Sequence, residues 1–272
     1  MAIKTELFDL TGQVALVTGG ASGIGKAIAE ALVQHGARVL IGSRTIEKVE
    51  AAAAELDAIA DHSGEDPVAA GISLDVTSGQ SIERAVRKAV DLFGGLHLVV
   101  NSAGFAIKKP TFELSTEEFN LLYDTHVTGS LRIAQRSGQI FREQHSGCII
   151  NIASISSSVD LIEVAAYAAA KNGVLGLTRS LANEWAKYGI RTNAIAPGFI
   201  PTDLNRKMIE HTDRGRRIME HTPMARFGTA DEVAGAAVYL ASPAGRFVNG
   251  HTIVVDGGFM ACGVGDSVAP WE

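Results

Sequence analysis

Short apolar runs that alternate with long amphipathic stretches constrain this chain more than any other feature. Runs at 14–18, 38–41, 69–75, 96–101, 148–153, 191–196 and 252–256 read as strands. The stretches between them, at 24–35, 46–60, 81–93, 116–144, 165–188 and 231–240, read as helices. The first six runs are almost continuously apolar, as strands covered on both faces must be. Such alternation implies right-handed crossovers, so the predicted architecture is α/β: a doubly wound, seven-stranded parallel sheet with helices on both faces. No linker rich in Pro, Ser or Gly divides residues 1–272, and one domain is expected. Two segments break the rhythm. Residues 202–224 are polar, charged and too long for a plain connection, which suits a lid over a substrate. Residues 263–272 form a short tail.

Composition narrows the functional classes. Asp and Glu outnumber Lys and Arg by 30 to 24, a net charge of −6 that argues against nucleic acid and anionic membranes as partners. No uncharged apolar run approaches the ~18 residues of a membrane span. The opening Met1-Ala2-Ile3-Lys4-Thr5-Glu6 has an acid where a secretory signal would be apolar, so the expected location is cytoplasmic. Two cysteines cannot build a disulfide framework or a four-thiolate metal site, and Cys148, next to Ile149 and Ile150, reads as a small buried hydrophobe. The eight histidines show no metal-ligand spacing, and no metal is expected.

The turn Thr18-Gly19-Gly20-Ala21-Ser22-Gly23-Ile24-Gly25 follows the first strand and opens the first helix. A helix N-terminus offers unpaired N–H groups to a pyrophosphate, and glycines let the backbone approach it. That placement makes Gly19, Ser22, Gly23, Ile24 and Gly25 candidate contacts of a dinucleotide in a Rossmann fold. An NAD site usually ends its second strand with a carboxylate for the ribose 2′-hydroxyl. Here the stretch is Gly42-Ser43-Arg44. A guanidinium beside a small hydroxyl suits a 2′-phosphate, so Ser43 and Arg44 favour NADP, with NAD as the alternative.

Tyr167 and Lys171 stand four apart on one helix face, and Ser154 ends the fifth strand at the sheet edge where ligands bind. Hydride transfer to a carbonyl leaves an alkoxide that needs a proton, and the reverse reaction needs a base. A free phenol, with pKa near ~10, is a poor base at neutral pH. The Lys171 ammonium and an oxidised nicotinamide would lower it, while Ser154 holds the substrate oxygen.

Together these motifs resemble the short-chain dehydrogenase/reductase family, over nearly the whole chain. They are Thr18-Gly19-(x)3-Gly23-Ile24-Gly25, Leu74-Asp75-Val76, Asn101-Ser102-Ala103-Gly104, Ser154, Tyr167-(x)3-Lys171, Pro197-Gly198 and Val255-Asp256-Gly257-Gly258. The resemblance implies that Tyr167 is the acid/base and that Lys171 also binds the nicotinamide ribose. It places Asp75 and Val76 by the adenine and Asn101, Ala103 and Gly104 under the cofactor. Pro197, Gly198, Ile200 and Thr202 fall at the carboxamide end. It also implies a homotetramer.

Two positions depart from the family pattern. Ser102 replaces an Asn, and His126 holds the position of a catalytic Asn whose carbonyl helps to bind a relay water. His126 is either a relay titrating near neutral pH or a tolerated substitution without a proton-transfer role. Lys108-Lys109 near the pocket mouth is a solvated pair or an attractor for a substrate anion, which makes Lys108 a candidate substrate contact. Phe105, Phe199 and residues 159–164 are candidate apolar walls.

Residues Phe247–His251 and the opening Leu7–Gly12 resemble the gluconate 5-dehydrogenase branch of the family. The expected activity is therefore NADP-linked interconversion of a secondary alcohol and a ketone on a sugar acid or polyol. The alternatives are a 3-oxoacyl thioester reductase acting on an acyl carrier protein and a cofactor-binding protein that has lost catalysis.

Overall fold

The computed structural model describes residues 5–59, 66–202 and 205–263. Residues 264–272 of the tail expected at 263–272, and Asp203 and Leu204 of the expected lid, lie outside the described residues.

Seven strands form one sheet: β1 (Val14–Thr18), β2 (Arg38–Ser43), β3 (Ala69–Ser73), β4 (Leu98–Asn101), β5 (Gly147–Ile152), β6 (Ile190–Pro197) and β7 (Thr252–Val255). Their order is β3-β2-β1-β4-β5-β6-β7, and every pair is parallel. The helices are α1 (Gly23–Gln34), α2 (Ile46–Ala58), α3 (Gly79–Phe93), α4 (Thr116–Tyr123), α5 (Gly129–Gln144), α6 (Ala165–Trp185), α7 (Arg206–Ile209), α8 (Asp213–His221) and α9 (Ala230–Ala241).

The apolar strand runs follow from burial on two faces. Ala15 and Val17 of β1 pack into one core with Ile28 and Leu32 of α1, Val49 of α2 and Val233 of α9. Their neighbours Val14 and Leu16 point the other way, into a second core with Ile82 and Val86 of α3 and Ile133 and Phe141 of α5. Cys148 lies in the first core as expected, its Sγ 3.6 Å from the Leu240 carbonyl, and burial pushes its thiol pKa up.

The helix predicted at 116–144 runs unbroken between those bounds, with one irregularity inside it. Residues 124–128 form one π-helical turn between α4 and α5, closed by the Gly129 N–H on the Asp124 carbonyl. The Ser130 hydroxyl donates to the His126 carbonyl at 2.7 Å, and the Thr125 hydroxyl to the Leu121 carbonyl at 2.8 Å. A π turn inserts one residue without disturbing composition or apolar period, and such turns recur at functional sites. Here it brings His126 to 3% exposure. The 202–224 segment folds into α7 and α8 around Ile209, Gly215 and Ile218. No helix among the described residues is long and apolar enough to cross a membrane.

Candidate active site

Because all seven strands are parallel, Thr18, Ser43, Ser73, Asn101, Ile152, Pro197 and Val255 end at one edge, where loops from different parts of the chain converge. The glycine turn shows why it needs glycines. Gly19 sits at φ +69°, and a Cβ there would lie 2.9 Å from the Ala103 backbone. A Cβ on Gly25 would lie 2.4 Å from the Gly19 carbonyl oxygen. Ser78, Ser115, Thr212 and Thr229 cap their helices with a side-chain oxygen, but Ser22 at the start of α1 makes no such bond. The side chain therefore leaves the first N–H groups of α1 to an anion. This cradle fits a dinucleotide pyrophosphate. Thr202 meets the turn from the other side, with a Cβ on Gly23 falling 3.2 Å from its methyl carbon. Gly198 lies so close to the backbone of Asp256 that a Cβ would approach it to 2.7 Å. Ile200 is buried beside Gly228.

At the adenosine end, Arg44 is exposed just beyond β2. The Ser73 hydroxyl donates to its carbonyl and the Ser43 hydroxyl to that of Thr45, which fixes the loop. No ion-pair partner of the Arg44 guanidinium occurs among the described residues. It faces Asp75, whose carboxylate lies below its ordinary pKa, chiefly through the Thr77 hydroxyl and N–H, with smaller help from Arg44 and Arg132. Val76 is buried against Gly129.

The floor of the site hangs on Thr18. Its Oγ1 accepts the Ser102 N–H at 3.1 Å and the Ala103 N–H at 3.0 Å. Below it runs a chain absent from the sequence-based reading: Asn101 Nδ2 donates to Asn151 Oδ1 at 2.8 Å, and Asn151 Nδ2 to Thr178 Oγ1 at 2.9 Å. All three are buried, so each amide must be paired in this way. An Asn inside the apolar run Cys148–Ile152 was the available signal. Its partner on α6 had none.

Tyr167, Lys171 and Ser154 come together. Ser154 caps the short turn Ile155–Ser157, accepting the Ser156 N–H at 3.1 Å. Lys171 is 6% exposed, and its Nζ donates to the Ile152 carbonyl at 2.6 Å while standing 5.5 Å from the centre of the Tyr167 ring. Burial lowers the Lys171 pKa to about 7. Tyr167 is half-buried; burial pushes its phenol up, and the Ser154 hydroxyl draws it partly back. The chain's own groups therefore keep Tyr167 protonated, without the oxidised nicotinamide that is expected to lower its pKa together with Lys171. The reason is that Lys171 has itself lost much of its charge to desolvation.

His126 packs against Tyr167. Its Nε2 donates to the Phe105 carbonyl at 2.8 Å, its ring meets Tyr167 edge-on at 5.5 Å, and a Cβ on Gly104 would lie 2.1 Å from its Cε1. Burial first, then the charge of Lys171, lowers its pKa to about 3, opposed by the Phe105 bond. His126 is thus a neutral ring with Nε2 protonated, and it does not titrate near neutral pH. Lys108 is not free at the mouth either: its Nζ is 3.0 Å from Glu163 Oε2, and Lys109 is held by Glu118 at 2.7 Å.

Residues 19–260 match the profile of a protein family described as Enoyl-(Acyl carrier protein) reductase. A D-threitol dehydrogenase of Mycolicibacterium smegmatis is 38% identical over 252 residues, 93% of this chain and 94% of that protein. A 3-oxoacyl-[acyl-carrier-protein] reductase of Vibrio cholerae is 36% identical over 250 residues, 92% of this chain and 98% of that protein. The structure of a gluconate 5-dehydrogenase from Burkholderia cenocepacia in complex with NADP and tartrate superposes with a TM-score of 0.87 at 33% identity, covering 94% of this chain and 98% of that one.

Proposed function

From the premise that this chain belongs to the short-chain dehydrogenase/reductase family and is an NAD(P)-linked oxidoreductase acting on alcohol groups, we propose that it interconverts a secondary alcohol and a ketone on a sugar acid or polyol, with NADP preferred. The observation that carries this reading is the meeting of Ser154, Tyr167 and Lys171 beside the glycine cradle at one sheet edge.

Bound nicotinamide supplies or accepts the hydride. The Ser154 hydroxyl hydrogen-bonds the substrate oxygen and holds it beside the phenol. In reduction, Tyr167 gives its proton to that oxygen as negative charge develops there; in oxidation it takes the proton back. In its ammonium form Lys171 has three donors, one committed to the Ile152 carbonyl. The other two serve the ribose hydroxyls and the path that reprotonates Tyr167. His126 holds the Phe105 loop and the Tyr167 ring in register as a neutral group. Asp75 and Val76 serve the adenine, Asn101, Ala103 and Gly104 the cofactor floor, and Pro197, Gly198, Ile200 and Thr202 the carboxamide end. Residues 202–224 act as the lid, and the working assembly is a homotetramer in the cytoplasm.

The lead from Arg44 favours NADP over NAD, and the gluconate 5-dehydrogenase structure with NADP supports it. The relative named as a 3-oxoacyl-[acyl-carrier-protein] reductase favours a second reading, reduction of a 3-oxoacyl thioester. Purified protein is assayed for cofactor-linked absorbance change with gluconate and sorbitol, and in the reverse sense with a 3-oxoacyl thioester. Turnover of the polyhydroxy compounds, faster with NADP than with NAD, is the expected result. Turnover confined to the thioester replaces the first reading with the second.

A further inference from the structure

Which polyhydroxy substrate the proposed reaction takes is written in the charges at the mouth of the site. The loop after β4 is anchored at its start by Thr18 on the Ser102 and Ala103 N–H groups and in its middle by His126 on the Phe105 carbonyl. Its far end meets the loop between β5 and α6. The Lys109 N–H donates to the Glu163 carbonyl at 2.8 Å, and the Lys108 side chain forms the 3.0 Å ion pair with the Glu163 carboxylate. Glu163 holds φ +68°, a left-handed conformation that a non-glycine residue keeps only when its surroundings enforce it. It lies four residues before Tyr167, so the pair ties together the two loops flanking the catalytic hydroxyls.

Both lysines of the loop after β4 are therefore committed to carboxylates. Lys109 is bound by both Glu118 oxygens, at 2.7 and 3.0 Å, and that carboxylate is also fixed by its place in the capping box of α4. Asp160, on the same loop as Glu163, is exposed and has no ion-pair partner among the described residues. Lys108 and Lys109 are thus each held by a carboxylate, Glu163 and Glu118, and Asp160 adds a third carboxylate to the loop between β5 and α6. In the lid segment, Arg206 pairs with Glu210 and Arg216 with Asp213, Lys207, Arg214 and Arg217 have no ion-pair partner among the described residues, and the buried side chains Ile209, Ile218 and Thr222 are uncharged. Deeper in, the polar groups are the Ser154 and Tyr167 hydroxyls, the His126 ring and Lys171, whose Nζ is held on the Ile152 carbonyl.

We propose that the Lys108–Glu163 pair is a specificity determinant that turns the mouth away from carboxylates, making an uncharged polyol the preferred substrate over the matching sugar acid. This rests on the alcohol–ketone reading above. An anion entering here would have to compete with Glu163 for Lys108 beside two other carboxylates, whereas hydroxyl groups meet donors and acceptors at no charge cost.

Sorbitol and gluconate separate the ideas, since they share their secondary alcohols and differ at one end, CH2OH against carboxylate. The wild type is expected to show kcat/KM at least ~10-fold higher for sorbitol, and Glu163→Gln to narrow that ratio at least ~10-fold, chiefly by lowering KM for gluconate. A thermal melt of Glu163→Gln checks that it folds. High salt should narrow the wild-type ratio too, as charges exposed at this rim are screened. Preference for gluconate by the wild type, or an unchanged ratio in a folded Glu163→Gln variant, overturns the inference while leaving the alcohol–ketone reading in place. Turnover of neither compound, with a 3-oxoacyl thioester reduced, overturns that reading and the inference together.

Discussion

Replacing Tyr167 by Phe lowers kcat by about 10²–10⁴-fold, the usual range for removing a positioned general acid or base, and leaves cofactor affinity close to that of the wild type. The substitution keeps the aromatic ring that meets His126 edge-on and lies 5.5 Å from Lys171 Nζ, so packing and the Lys171–Ile152 bond survive. Only the hydroxyl beside Ser154 goes. Steady-state turnover with a fluorescence titration of reduced cofactor checks both halves. A loss of less than threefold in kcat would remove Tyr167 from the reaction. A parallel loss of cofactor affinity would mean that the ring, not the proton, carries the effect.

Arg44→Glu shifts cofactor choice by a comparable amount. A guanidinium that clasps a phosphate through charge-assisted hydrogen bonds contributes about 3 kcal/mol, or roughly 100-fold in affinity, and a carboxylate in its place adds repulsion. KM for NADP is expected to rise ~100-fold or more while KM for NAD changes little or falls, because a carboxylate at the end of β2 can accept from the ribose 2′-hydroxyl. Arg44 is exposed, and its carbonyl contact with Ser73 involves only backbone, so the substitution should leave stability nearly unchanged. Equal KM changes for the two cofactors would place Arg44 outside the ribose site.

Much of this architecture was legible in the residues. Residues 14–17 and 148–150 are apolar along their length because alternate side chains feed different cores, and that two-sided burial leaves a plain mark on a sequence. The glycine turn was legible for a related reason: Gly19 and Gly25 stand where a Cβ would strike backbone, so no other residue substitutes. The π turn at 124–128 left no such mark. Its single extra residue shows only in hydrogen bonds, and the turn looks like any amphipathic helix in composition.

Pairings across long separations were equally silent. Nothing near Lys108 announces Glu163, 55 positions away, and a loop lysine reads as free until the fold supplies its partner. His126 taught the opposite lesson. Its residue type left two readings, a relay titrating near neutral pH and a substitution without a proton-transfer role, and burial against Gly104 and Tyr167, with Lys171 nearby, pushes its pKa down in line with the second. For Tyr167 and Lys171, proximity was visible in the four-residue spacing and desolvation was not.

The account turns on a phenol that the chain holds protonated and that serves as acid in one direction and base in the other. The most direct test is the pH profile of kcat/KM between about pH 6 and pH 10, in both directions, for the wild type and Tyr167→Phe. The wild type should reduce ketone readily at neutral pH and oxidise alcohol increasingly well as the solution becomes alkaline, and the variant's residual oxidation should lack that rise. A rise retained at full amplitude in Tyr167→Phe, or wild-type oxidation independent of pH across the range, would contradict it.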